Sequence, residues 1–242
     1  INLVYAYLYG ITCHFMFAIA AIAMIYHMFY GMQKSYGNLE GALAIMANGA
    51  LILQFPLAHS FLLSQRGQKI LSLLGPKDLA ISLSTTSFTI VASIQLFALF
   101  MLWSPSKIVF ELPFEFLIYI LPILYCLSWF LLIVATIDAG LEVQSGALGW
   151  ISVLARKKPK FPELPTTGLY RIIRHPIYAS FFLAVLTVPT WTADQIVVSL
   201  ILGGYCIFAP ILKDRRLIER HGEKYLRYKN TTPYMLPSKI IK

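Results

Sequence analysis

The sequence predicts an all-α integral membrane protein of about six transmembrane helices, the last pair a short hairpin, followed by an amphipathic helix on the cytoplasmic side. Three observations lead there. Of 242 residues, 58% are hydrophobic and 13% charged, and the mean hydropathy of +0.69 is too apolar for a soluble domain of this size. The apolar residues come in runs of roughly 20, the length that crosses about 30 Å of hydrocarbon as a helix. The basic residues stand beside these runs, and alternate links carry them unequally.

The first span runs from Leu3 to Tyr30. Nothing resembling a signal-peptide cleavage site ends it, so it is expected to remain a helix. His14 and His27 lie in or near it with no carboxylate beside them, which favours hydrogen bonding between helices over metal ligation. The second span, Gly41 to Leu63, is rich in small residues that permit close packing, and Pro56 is expected to kink it. Leu79 to Trp103 and Phe114 to Ile137 are the third and fourth spans. The fifth, Ile177 to Pro189, has about 13 residues against the ~20 a crossing needs, so it enters tilted or only partway. The sixth is Ile196 to Leu212, where Pro210 is expected to redirect the chain.

Lys and Arg number three in residues 64–78 (Arg66, Lys69, Lys77), one in 104–113, six in 138–176 and nine from Lys213 onward. This asymmetry puts the last two groups in the cytoplasm, and six crossings with both termini inside close the alternation. The formal charge of +9 is better explained by anionic membrane lipid than by nucleic acid, for which no motif is present. Cys13, Cys126 and Cys206 are scattered in apolar runs, which argues against a disulfide framework or a metal site.

Two polar stretches stand out. The first, Pro165 to Tyr178, passes through the Gly168 turn, Tyr170, Arg171, Arg174 and His175 into Pro176, a residue suited to the first helical position. The free N–H groups of that helix start, with Arg171 and Arg174, make a seat for a carboxylate or phosphate. Taken alone, the same basic residues are equally the ordinary flank of a membrane span. The second stretch, Leu212 to Tyr228 and then Pro233, lies one apolar hairpin further on. On one continuous helix, Asp214, Leu217, Ile218, His221, Tyr225 and Tyr228 would share a side.

The order Gly-x-Tyr-x-x-x-Arg-His-Pro-x-Tyr (168–178), an acid-and-Arg helix, then His-Gly-x-x-Tyr-x-x-Tyr (221–228) resembles the membrane-embedded methyltransferases typified by isoprenylcysteine carboxyl methyltransferase. That superfamily includes phospholipid methyltransferases, methanethiol S-methyltransferases and NnrU-like proteins. The match covers roughly the last third of the chain, with one departure: Lys213-Asp214 stands where the family has two adjacent acids. His59-Ser60 with Arg66 loosely resembles an element of the methanethiol and NnrU-like branch, and is equally a polar helix end facing headgroups.

The resemblance implies S-adenosyl-L-methionine as cofactor and a methyl acceptor that is small or lipophilic: a thiol by preference, otherwise an isoprenylcysteine carboxylate or a phospholipid amine. It divides the chain into a four-helix bundle, residues 1–137, and a cofactor-binding and catalytic module, residues 138–242. Cofactor contacts are expected from Gly168, Tyr170, Arg174, His175, Pro176, Tyr178, Asp214, His221 and Tyr225, with Arg174, His175 and Glu142 as catalytic candidates. Arg174, His175 and the helix start suit the donor's carboxylate, Asp214 its ammonium, and the tyrosines its sulfonium. Asp138 and Glu142, four residues apart, either touch the cofactor or mark where the fourth span leaves the bilayer. Two other readings compete. Sterol reductases carry a similar Arg-His-Pro module and use NADPH but need about ten spans, and a transporter would place paired charges at mid-bilayer, whereas these acids lie at helix ends.

Overall fold

A computed structural model describes residues 2–76 and 78–237; Lys77, counted above among the basic loop residues, lies outside them. Among the described residues the regular structure is helical, with one isolated antiparallel bridge between Val109 and Thr192. The helices are α1 (Asn2–Phe29), α2 (Gly41–Leu62), α3 (Gln65–Leu71), α4 (Ser84–Leu102), α5 (Leu117–Asp138), α6 (Leu141–Gln144), α7 (Ala147–Leu154), α8 (Leu169–Ile172), α9 (Pro176–Leu186), α10 (Ala193–His221) and α11 (Glu223–Thr231). Five of them, α1, α2, α4, α5 and α10, are long and apolar enough to cross a membrane. The protein is thus a multi-pass helical membrane protein, and large apolar side chains such as Ile22, Ile45 and Tyr119 stand outside the packed interior, where lipid covers them without cost.

Packing divides the chain into two units, residues 1–108 with 141–161 and residues 109–140 with 162–242. By packing, α5 belongs to the second unit and the α6–α7 segment to the first.

In the first unit α1 packs on α4 and α7, and α4 on α2. Polar side chains tie these helices because a hydrogen bond unmade in hydrocarbon has no water to replace it. Asn48 on α2 donates to the Ser104 carbonyl at 2.8 Å and accepts from the Ser104 amide at 2.9 Å. Gln95 on α4 donates to the Gln54 side-chain oxygen at 2.8 Å. The two histidines of α1 serve as hydrogen-bonding groups between segments, as expected: His14 Nε2 accepts from Trp150 Nε1 on α7 at 3.2 Å, and His27 Nε2 lies 3.3 Å from Met101 Sδ on α4. His59 is packed between the rings of Phe55 and Phe88. Pro56 lies inside α2, which runs on for another six residues to Leu62.

In the second unit α9 packs on both α5 and α10. The α9–α10 hairpin is pinned by polar contacts: Gln195 and Ser199 both donate to the Val185 carbonyl, at 3.1 and 2.8 Å, and Thr192 Oγ1 caps α10 by accepting from the Gln195 amide at 2.9 Å. With 11 residues, α9 extends about 16 Å, half of the hydrocarbon thickness. By contrast α10 has 29 residues, about 43 Å of helix, so its last turns, from about Lys213, exceed what a bilayer needs.

One expectation about this helix is corrected. Pro210 does not redirect the chain: α10 continues through it for 11 more residues. A proline at that position loses one backbone hydrogen bond, which neighbouring helices and a membrane setting tolerate. The turn comes instead at Gly222, with φ +52 and ψ −129, a conformation that side chains with a Cβ avoid, and α11 departs from there.

Candidate functional site

The second unit brings its polar motifs together around one carboxylate. Asp214, on the penultimate stretch of α10, is 5% exposed. Arg174 Nη1 lies 3.4 Å from its Oδ2, His175 Nε2 2.8 Å from its Oδ1 and Lys229 Nζ 3.7 Å from its Oδ2. The Tyr225 hydroxyl donates to Oδ1 in a short hydrogen bond. In a single helix eleven residues separate the Cα atoms of 214 and 225 by about 16 Å, so this bond exists only because Gly222 turns α11 back. Tyr225, Tyr228 and Lys229 are at i, i+3 and i+4 on α11 and share the face that meets the site.

The first motif is held by backbone geometry. Gly168 has φ +58, and Asp138 Oδ2, at the end of α5, accepts from the Leu169 amide at 2.8 Å at the start of α8. Tyr170 on α8 is buried, and its carbonyl accepts from the Tyr228 hydroxyl at 2.6 Å. The chain then extends through Ile173, and Pro176 opens α9 at the first helical position, as expected. The Arg174 amide donates to the Pro233 carbonyl at 2.8 Å, which ties the segment after α11 to the motif.

Tyr234, next in that segment, completes the floor. Its ring lies 5.0 Å from that of His175 and 5.5 Å from the Arg174 guanidinium carbon, a cation–π distance, and its hydroxyl donates to the Ile207 carbonyl at 2.8 Å. Tyr178 on α9 has its ring 6.1 Å from that of His175 and 5.6 Å from Lys213 Nζ. Lys213 is thus half-buried against an aromatic face.

Arg174 and His175 are 9% and 0% exposed. Burial draws the His175 imidazole below its ordinary value, against the Asp214 hydrogen bond and charge that raise it, and Lys213 and Arg174 add to the lowering. Burial, then the bond to Asp214, raises the Tyr225 phenol, and burial pushes Tyr228 up to about 12. The tyrosines are therefore neutral donors at physiological pH. One carboxylate faces two cations, Arg174 and Lys229, so the site has an excess of positive charge. Arg174 Nε, His175 Nδ1 and the Tyr170 hydroxyl are buried with no hydrogen-bond partner among the described residues. Leaving such groups unmade costs about 1–3 kcal/mol each, and they mark where a polar ligand would be received.

Of the residues singled out from sequence, Gly168, Tyr170, Arg174, His175, Pro176, Tyr178, Asp214 and Tyr225 are gathered in this unit. His221, at the end of α10, is half-buried and is not among the groups that hold Asp214. Glu142 stands on α6, which belongs to the first unit. Three further contributors are not among the residues singled out from sequence. From sequence Asp138 reads either as a cofactor contact or as the exit of a helix from the bilayer, Lys229 is identified only once α11 is a separate helix, and Tyr234 carries no motif beyond following Pro233.

The fold is that of a multi-pass helical membrane protein, and the cluster of Arg174, His175 and Lys229 around Asp214 lies at one end of its α9–α10 hairpin. Compared with known proteins, the chain is 27% identical to a methanethiol S-methyltransferase of Pseudomonas deceptionensis over 86% of its own length and 79% of the relative's. It is 25% identical to a methanethiol S-methyltransferase of Crocosphaera subtropica over 95% and 91%, and 25% identical to methanethiol S-methyltransferase 1 of Bradyrhizobium diazoefficiens over 96% and 82%. The similarity read from the C-terminal third therefore extends over most of the chain, consistent with the isoprenylcysteine-carboxyl-methyltransferase-like membrane superfamily. No family model and no solved structure matches it.

Proposed function

We propose that this protein is an S-adenosyl-L-methionine-dependent methyltransferase that methylates a small thiol, of the methanethiol class, at the cytoplasmic face of the membrane. The observation that carries this reading is the Arg174–His175–Asp214–Tyr225 cluster with its unmet donors, in a chain similar over most of its length to methanethiol S-methyltransferases.

When bound, S-adenosylmethionine would supply its methyl group to a thiolate sulfur by in-line displacement, the new S–CH3 bond forming as the sulfonium S–CH3 bond breaks and S-adenosylhomocysteine leaves. Arg174, through Nε and its remaining guanidinium N–H groups, and the amide-rich start of α9 receive the carboxylate of the donor's amino-acid end. Asp214 balances that positive charge and fixes Arg174 and His175 in place. Tyr170, Tyr178 and Tyr234 present electron-rich ring faces suited to a sulfonium. His175 turns Nε2 to Asp214, which favours the tautomer protonated there and leaves Nδ1 to accept the thiol proton. Little acid–base chemistry is needed beyond that, so positioning supplies most of the rate.

The test is radiolabelled methyl transfer by purified protein in detergent, offered methanethiol, longer alkanethiols, phosphatidylethanolamine and a prenylcysteine. Label in the methyl sulfide alone is the expected result. Label in the lipid or the carboxyl ester would replace the acceptor, and no transfer together with no calorimetric binding of S-adenosylhomocysteine would overturn the reading.

A further inference from the structure

We propose that Asp138, at the C-terminal end of α5, is a positioning residue that sets the donor-binding segment, an inference that rests on the function proposed above. A carboxylate is poorly placed at the end of a helix, where the macrodipole is negative. Asp138 nevertheless ends α5 and accepts from the Leu169 amide at 2.8 Å. There its charge meets the positive, N-terminal end of α8, where a carboxylate is favoured.

The helix it caps is four residues long, too short to hold its own conformation, because helix nucleation is unfavourable and few bonds repay it. Gly168, the residue before it, has no side chain with which to cap it. Gly168 at φ +58 is packed against the same carboxylate: a Cβ there would collide with Asp138 Oδ2. Both Tyr170, with its unmet buried hydroxyl, and Arg174 follow within six residues of the capped turn. The carboxylate thus fixes where α8 starts, and with it the register in which Tyr170 and Arg174 reach the site.

The experiment compares Asp138→Ala, Asp138→Asn and wild type by calorimetric titration with S-adenosylhomocysteine, hydrogen exchange over residues 166–174 without ligand, and the KM for S-adenosylmethionine against kcat. Asp138→Ala is expected to speed exchange in that segment, weaken S-adenosylhomocysteine at least fivefold and raise KM for the donor more than it lowers kcat. Asp138→Asn, which keeps an accepting oxygen, is expected to restore most of the affinity. Unchanged affinity in Asp138→Ala with wild-type binding intact overturns the inference, as does a lowered thermal midpoint with unaltered donor KM, which would leave Asp138 a purely structural cap. If Asp138→Ala fails to fold, Gly168→Ala crowds the same contact and is read by the same titration. Wild type that binds no S-adenosylhomocysteine would overturn the proposed function itself, so the two failures are distinguishable.

Discussion

Arg174 illustrates how one side chain is held for binding. Its guanidinium is buried, packed against the Tyr234 ring and close to a single carboxylate, while Nε has no partner among the described residues. Arg174→Ala is expected to weaken S-adenosylmethionine by roughly 10- to 150-fold, the loss of a charge-assisted contact worth about 1.5–3 kcal/mol, and His175→Ala to weaken it less, through the loosened Asp214 and Arg174, with the fold retained in detergent. Unchanged calorimetric affinity in both variants would refute the assignment. Asp214→Asn behaves differently, because this carboxylate already serves four partners: removing its charge strands the buried Arg174 guanidinium, at about 3–5 kcal/mol. A lower thermal midpoint is therefore expected alongside weaker donor binding. His175 also gives stability a pH dependence. Its lowered value means that the unfolded chain, near the ordinary value of about 6.5, binds the proton more readily. The stability from keeping it neutral is full above pH ~6.5 and is lost as pH falls through the folded value. Thermal midpoints between pH 8 and 5 are expected to decline in wild type and to decline less in His175→Gln.

At the scale of elements, the decisive feature is the break between α10 and α11. Gly222 at φ +52, ψ −129 occupies a conformation reserved for glycine, and nothing lies within 4 Å of the position its Cβ would take, so the cost of a side chain there is backbone strain alone. Gly222→Ala is expected to cost about 1–3 kcal/mol and to loosen α11, since straightening the chain would carry Tyr225 away from Asp214. Faster hydrogen exchange confined to residues 223–231 is the signature; uniform destabilisation would refute it. The α9–α10 hairpin matters for the same reason. Its short first arm keeps the start of α9, with His175, at the level of Asp214 near the end of α10, and the Gln195 and Ser199 bonds to Val185 fix that offset.

At the scale of the whole molecule, the unequal distribution of basic residues predicts the orientation of the chain in the bilayer. With Cys13, Cys126 and Cys206 replaced by serine, single cysteines at Lys158 and Lys224 are expected to react with a membrane-impermeant maleimide from the cytoplasmic side of sealed vesicles, and one at Lys107 from the opposite side. Labelling of Lys158 and Lys224 from opposite sides would sink the six-crossing arrangement. Much of this level is legible without coordinates, because burial in lipid demands long apolar runs and self-satisfied backbone. Periodicity and composition report those directly. The five long helices lie close to the spans read from the sequence, and the short α9 was expected from its length.

The sequence by itself determined the membrane class, the span positions and the two motifs whose residues meet at Asp214, since hydropathy and residue type at fixed spacing are local properties. Tertiary structure alone decided how Tyr225 reaches that carboxylate, because Pro210 and Gly222 both read as breaks and only the packed chain shows which one turns. It likewise decided that Asp138 reaches 31 residues forward to cap α8, that Tyr234 lies beneath Arg174 and His175, and that Lys213 rests on Tyr178. These are contacts between groups distant in the chain. Their existence depends on helix offsets set by packing and hydrogen bonding, which no local pattern encodes.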